Sequence, residues 1–249
     1  MQLKRTVIKL SGEALSGNGT TAFCDATLAG IVAQVKRVLA TGAEVSLVVG
    51  GGNFWRGRGA NTAMDRVKAD QIGMLATVMN ALYLSEACKA QSVPALVMTP
   101  IPMGNMTTLY SKEAALAAMQ QGTVVIHGAG LGHPYFSTDT VTALRAIELD
   151  ASAVLYTKNG VGGCYDSAPD KNPSARMYRT LSYATALAGQ LQFADLTALA
   201  LLSDAAKPAF VFGLAEPDGI FRACEGHWEG FGTILQTHIE EAYYGNESV

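Results

Sequence analysis

Charge of one sign, paired cysteines and long apolar runs are all missing from this chain of 249 residues. Its 18 Lys and Arg stand against 21 Asp and Glu, a net charge of −3. Without a basic field, nucleic-acid binding is excluded, and any phosphate must be held by a few placed cations and backbone amides. The four cysteines, Cys24, Cys88, Cys164 and Cys224, are scattered and form no CxxC pair. They read as small buried hydrophobes in a reducing compartment, not as a disulfide framework or a zinc site. The four histidines show no metal-ligand spacing, so no metal-binding side chains are expected. No apolar run approaches the ~20 residues that cross a bilayer. Met1–Arg5 passes straight into Thr6–Leu10 with no leader-like apolar segment, and a cytoplasmic location without membrane contact is expected. GxxxxGK[ST] and G-x-S-x-G are both absent, which removes the P-loop and nucleophile-elbow readings. Gly17-Asn-Gly19-Thr-Thr-Ala22 fits a loose dinucleotide-binding pattern but has no acidic residue near twenty positions on.

What is present is a regular alternation. Short runs rich in Val and Ile predict strands at Val7–Leu10, Val45–Val49, Ala95–Met98, Thr123–His127, Ala153–Thr157, Ala209–Phe212 and Thr233–Leu235. They are apolar on both faces, as strands covered by helices on each side must be. Between them lie helical patterns. One starts at Asp25 and ends at Gly42; a second has the stripe Met74, Leu75, Val78, Met79 and Leu82. A third is capped by Ser111 and ends near Gly122, a fourth is capped by Asp139 or Thr138, and a fifth opens at Asp195. The alternation predicts an α/β fold: an open, mostly parallel central sheet with helices on both faces, in one domain over residues 1–249. Gly160–Arg179, dense in Gly, Pro, Ser and Asp, reads as a surface excursion.

In such a sheet ligands bind beyond the carboxyl ends of strands. Three strand ends carry one signature: an apolar run, small residues, then a polar or cationic group. They are Val7-Ile-Lys9-Leu-Ser11-Gly12, Val48-Val-Gly50-Gly51-Gly52-Asn53-Phe-Trp-Arg56-Gly57, and Val125-Ile-His-Gly128-Ala-Gly130-Leu131-Gly132-His133-Pro134, leading into Ser137-Thr138-Asp139. Glycine lets backbone amides approach an anion closely, and a helix starting just beyond adds its positive end. Each turn alone also fits a plain tight turn, Lys9 a snorkelling edge lysine and Arg56 a solvated loop residue. Three together suit a polyphosphate ligand, with Arg56 able to clamp a phosphate through its guanidinium fork.

Together the three turns resemble the bacterial UMP kinases of the amino acid kinase family. Further marks are Gly73-Met-Leu-Ala-Thr-Val-Met-Asn80 after Asp70, Gly132-His-Pro-Tyr-Phe-Ser-Thr-Asp139 and Leu144-Arg-Ala-Ile-Glu148, and the match runs from about Thr6 to Thr233. The resemblance implies a three-layer fold with an acceptor-binding half over roughly 1–150 and an ATP-binding half over roughly 151–249. It implies transfer of the ATP γ-phosphate to UMP, in pyrimidine nucleotide biosynthesis. Lys9, Ser11, Gly12, Gly52 and Arg56 would then contact ATP phosphates, with Lys158, Asn159 and Tyr165 on the adenine side. Gly51, Asp70 and the run Leu131, Gly132, His133, Pro134, Tyr135, Phe136, Ser137 and Thr138 would contact UMP. Lys9, Arg56 and Asp139 would carry the chemistry. Mg2+ bound with ATP, a homohexamer, and GTP and UTP as effectors are also implied.

The chain departs from the family pattern on the nucleotide side. An Asp-Gly-Val-Tyr/Phe motif followed by Asp-Pro is usual; here the run is Gly162-Gly163-Cys164-Tyr165-Asp166-Ser167-Ala168-Pro169. Without a carboxylate at Ala168, either ATP contact is weaker or Asp166 substitutes for it. Lys158 and Asn159 compete for one nucleotide contact. Leu131 stands in place of threonine, His133 of asparagine and Cys24 of glycine. Strand-end glycines and Lys9 by themselves also fit another phosphotransferase of the same family, and Gly162 and Ala168 fit a uridine-nucleotide-binding relative without turnover.

Overall fold

The computed structural model describes residues 2–17, 21–55, 63–191 and 193–245. The strands are β1 (Arg5–Leu10), β2 (Glu44–Val49), β3 (Ala95–Thr99), β4 (Thr108–Leu109), β5 (Val124–His127), β6 (Ala153–Lys158), β7 (Tyr178–Ser182), β8 (Ala209–Gly213), β9 (Thr233–Gln236) and β10 (Ala242–Tyr243). The helices are α1 (Gly12–Leu15), α2 (Asp25–Ala40), α3 (Arg66–Ala90), α4 (Lys112–Gln120), α5 (Thr138–Glu148), α6 (Tyr183–Ala188), α7 (Leu196–Asp204) and α8 (Gly219–Cys224). All ten strands form one sheet in the order β10-β7-β9-β8-β6-β1-β2-β5-β3-β4. Only the β8–β9 and β10–β7 pairs are antiparallel. β1 sits in the middle, with Lys9 opposite Val48 on one side and Tyr156 on the other.

Alternate strand residues feed two cores. Ile8, Leu10, Leu47 and Phe210 pack under α2, α3 and α8, while Val7, Val48, Val154 and Val211 pack under α4, α5, α6 and α7. The expected three-layer α/β arrangement follows directly, because strands apolar on both faces can be satisfied only by helices on each side.

Helix ends are set locally, and some differ from expectation. Ser111 and Asp195 cap α4 and α7 through bonds from Ala114 N and Ala198 N. At α5 the cap is Ser137, not Thr138 or Asp139. Ser137 holds extended backbone and accepts from Asp139 N and Thr140 N, which leaves the Asp139 carboxylate free to turn elsewhere. At α2 the Ncap position is Cys24, and Asp25 instead receives the Tyr83 hydroxyl at 2.7 Å. The second helix is far longer than its apolar stripe, starting at an Asp65 cap. Trp55 and Trp228 donate to the carbonyls of Ala69 and Ala223, as packing residues with a satisfied indole N–H.

Candidate functional site

The first two glycine turns are one structure. Gly50 N donates to the Leu10 carbonyl at 2.9 Å. A Cβ on Gly12 would lie 2.5 Å from Gly52 N and 2.8 Å from Gly50 O, so any side chain there would force the turns apart. Ser11 caps α1 by accepting from Ala14 N. A Cβ on Gly51 would sit 2.9 Å from Gly73 O, which brings α3 hard against the second turn. Buried Asn80 on α3 donates to Gly50 O at 2.5 Å and exchanges amide hydrogen bonds with Asn53, which in turn reaches Ala22 O. The third turn meets the same helix, since Ala129 N donates to Thr77 Oγ1 at 2.8 Å. All three turns therefore converge on the carboxyl ends of β1, β2 and β5, with α3 as their common backing.

Lys9 projects from the end of β1 and is only 9% exposed. Its Nζ lies 3.0 Å from Asp139 Oδ1 in the first turn of α5. The pair is held from both chain directions: Thr157 Oγ1 donates to Lys9 O at 2.9 Å, and the Tyr156 hydroxyl donates to Asp139 O at 3.2 Å. Asp139 Oδ1 accepts no well-aligned hydrogen bond beyond that ion pair. A partly desolvated ammonium and carboxylate of this kind are poised for an incoming charged group.

Asp139 lines a cavity of about 810 Å3, together with Arg66, Asp70, Tyr135, Phe136, Ser137, Lys158 and residues of the segment 190–197. A second cavity of about 460 Å3 adjoins it, lined by Val161, Gly163, Tyr165, Asp166, Ser167, Ala168, Pro169 and Lys171. The two share Lys158, Gln190, Leu191 and Phe193. Lys158, at the end of β6, donates to the Phe193 carbonyl. Burial pushes its ammonium below the usual lysine range; Asp139 opposes that shift and the Lys9 charge adds to it. The arrangement offers room for two ligands side by side, with Lys158 between them and the Lys9–Asp139 pair within its electrostatic reach.

The loop over the larger cavity is fastened to α3. Asp70 accepts from the Arg66 Nε at 2.8 and 2.9 Å and from Tyr135 N at 2.8 Å, while the Arg66 guanidinium lies over the Tyr135 ring. Tyr135 holds a φ of +74°, a left-handed conformation that a bulky residue adopts only when its surroundings impose it. The Tyr135 and Phe136 rings stay more than half exposed at the mouth.

A family model described as the amino acid kinase family matches residues 4–213. The chain belongs to that family. It is 42% identical over 232 residues to a uridylate kinase of Streptomyces avermitilis, covering 93% of this chain and 91% of the relative. The crystal structure of a UMP kinase from Bacillus anthracis superposes with a TM-score of 0.91 at 37% identity, covering 98% of this chain and 99% of that one. A UMP kinase from Ureaplasma parvum gives a TM-score of 0.87 at 35% identity, covering 95% and 100%.

The structure brings a subset of the expected residues to the two cavities. Asp139, Asp70, Tyr135, Phe136 and Ser137 line the larger cavity, Tyr165 lines the smaller, and Lys9 lines neither but is ion-paired to Asp139. Lys158 lines both, whereas Asn159 is exposed and lines neither. Leu131 packs toward the α4–α7 core, and Gly132 turns at φ +80° against Pro100 and Ile101; neither lines the cavity, nor do His133, Pro134 and Thr138. Ser11, Gly12, Gly51 and Gly52 form the paired turns outside the lining of either cavity. Arg56 lies outside the described residues. Sequence reasoning missed Arg66, whose signal was its i, i+4 spacing from Asp70, and it read Asp195 only as a cap.

Proposed function

We propose that the chain transfers the γ-phosphate of ATP to UMP, giving UDP and ADP. The observation that carries this is the pair of adjoining cavities sharing Lys158, whose ammonium feels the charges of the buried Lys9–Asp139 pair, with Asp139 lining the larger of the two. In-line phosphoryl transfer needs two nucleotides aligned and the charge on the equatorial oxygens neutralised, with little covalent work by the protein. Residues of the half 1–150 would take UMP in the larger cavity, Asp70 receiving ribose hydroxyls and 131–138 wrapping the base and phosphate. Residues of 151–249 would take the ATP adenosine in the smaller cavity, beside Tyr165 and Asp166. Lys9 and Lys158 would follow negative charge onto the transferred group, joined by the amides of Gly12 and Gly52 and by Arg56. Asp139 would orient the Lys9 ammonium; it need not act as a base.

Magnesium fits this donor set. Among the described residues no group of three or more His, Cys, Asp or Glu gathers as a metal site, but Asp139, which lines the larger cavity, has an Oδ1 that lacks a well-aligned hydrogen bond. One carboxylate with phosphate oxygens and waters is an ordinary magnesium environment. The ion would arrive on the ATP phosphates and neutralise their charge, with Asp139 the residue to hold it.

A homohexamer, regulation by GTP and UTP, and a cytoplasmic setting complete the proposal. Ile72, Leu75, Met79 and Tyr83 form an exposed apolar stripe along α3 that suits a subunit contact. No helix among the described residues is long and apolar enough to cross a membrane. The test is UDP formation from ATP and UMP in a coupled assay, with CMP, dCMP and carboxylate acceptors as controls. Transfer to UMP alone supports the reading; phosphorylation of an amino acid but not UMP contradicts it, as does UMP binding without UDP.

A further inference from the structure

We propose that Asp195 is a positioning residue that fixes the Lys9–Asp139 pair by clasping the N-termini of α5 and α7 together. The proposal rests on the reading of Lys9 and Asp139 as the reacting pair. As the cap of α7, Asp195 needs one acceptor, and it has it: Ala198 N donates to Oδ1 at 2.8 Å. The carboxylate does more than that. Its Oδ2 accepts the Ser137 hydroxyl, and Thr140 Oγ1 lies 2.9 Å from each of its oxygens. Both hydroxyls sit at the N-terminus of α5, Ser137 as its cap and Thr140 in its first turn, more than 50 residues away in sequence.

Ser137 is the connecting atom set. A hydroxyl has one proton and two lone pairs. The proton goes to Asp195, and the lone pairs accept from Asp139 N at 3.0 Å and Thr140 N at 3.4 Å. The Asp139 backbone is thereby fixed from one side by Ser137 and from the other by the Tyr156 hydroxyl on its carbonyl. Removing the Asp195 carboxylate frees the Ser137 rotor and lets α5 slide against α7, carrying Asp139 away from Lys9. Asp195 itself lines the larger cavity, so the clasp sits beside the chemistry without being its charge carrier.

Asp195→Ser separates the two roles, because serine caps a helix as well as aspartate does but is too short to bridge to α5. We expect kcat to fall about 10- to 100-fold, the scale of a small misplacement of reacting groups. KM for ATP and for UMP should stay within about threefold, since binding is not what is lost. Asp195→Asn, which keeps a cap acceptor and a polar partner for the hydroxyls, should recover part of kcat. Thr140→Val approaches from the α5 end and should lower kcat in the same direction, with little added loss when combined with Asp195→Ser. Wild-type kcat in Asp195→Ser overturns the proposal, as do fully multiplicative effects of the two substitutions or a kcat loss matched by loss of folded protein. Lys9→Ala measured alongside distinguishes the failures. An inactive Lys9→Ala with an unaffected Asp195→Ser sinks the clasp alone; a fully active Lys9→Ala sinks the reading of the site and the clasp with it.

Discussion

Lys9 Nζ and Asp139 Oδ1 stand 3.0 Å apart with 11% and 16% of their side chains exposed, one at the end of the central strand and the other in the first turn of α5. A lysine in a strand covered on both faces is costly unless something anionic receives it. Here a carboxylate that lines the larger cavity does so.

The turns that flank this pair depend on the absence of a side chain at position 12. Gly12→Ala would set a Cβ 2.5 Å from Gly52 N, a backbone atom that cannot rotate away. Such overpacking costs about 1–3 kcal/mol. A lowered thermal midpoint with a raised KM for ATP is expected; an unchanged midpoint would mean the turns are not packed as described.

His127 gives the fold an acid limit. Burial pushes its imidazole down to about 3, with the Arg145 charge adding to the effect, and its Nε2 meets Ser46 Oγ at 2.8 Å. The unfolded histidine takes its proton near 6.5, so between about pH 6.5 and 3 the unfolded chain binds a proton that the folded chain refuses. Stability therefore falls on acidification through that window, by up to ~1.4 kcal/mol per pH unit from this one group. Denaturant melts between pH 7 and 5 measure the slope. His127→Gln should flatten it, and an equal slope in both proteins would contradict the assignment.

Most of the sheet is legible in the sequence because its strands are apolar on both faces; β1, β2, β3, β5, β6, β8 and β9 all fall where Val- and Ile-rich runs place them. β4, β7 and β10 are not, since two are two-residue pairings at the sheet edges and β7 carries exposed Arg179 among its buried residues. Lys9 and Asp139 were visible as polar residues at or beyond strand ends, whereas Asp70, inside α3, stood out only through the family resemblance. The 190–197 wall was invisible because its role is played by the Phe193 carbonyl and by the far side of a capping aspartate, neither of which alters a sequence pattern.

Asp166 should serve the nucleotide in place of the carboxylate missing at Ala168. It lines the smaller cavity, and the bond from Arg176 N holds its carboxyl below the usual range, with Ser167 and the Arg176 guanidinium assisting. Asp166→Ala should raise KM for ATP about 10-fold, the loss of a charge-assisted hydrogen bond, and leave KM for UMP unchanged. Equal effects on both substrates would place the carboxylate outside the donor site.

The most direct test is the rate of γ-phosphate transfer from ATP to UMP in a folded Lys9→Ala protein, measured in a single turnover with both nucleotides saturating. Removing the cation paired with Asp139 beside the larger cavity should slow transfer about 10²- to 10⁴-fold while both nucleotides still bind. Wild-type transfer without the position 9 ammonium would contradict the account at its centre.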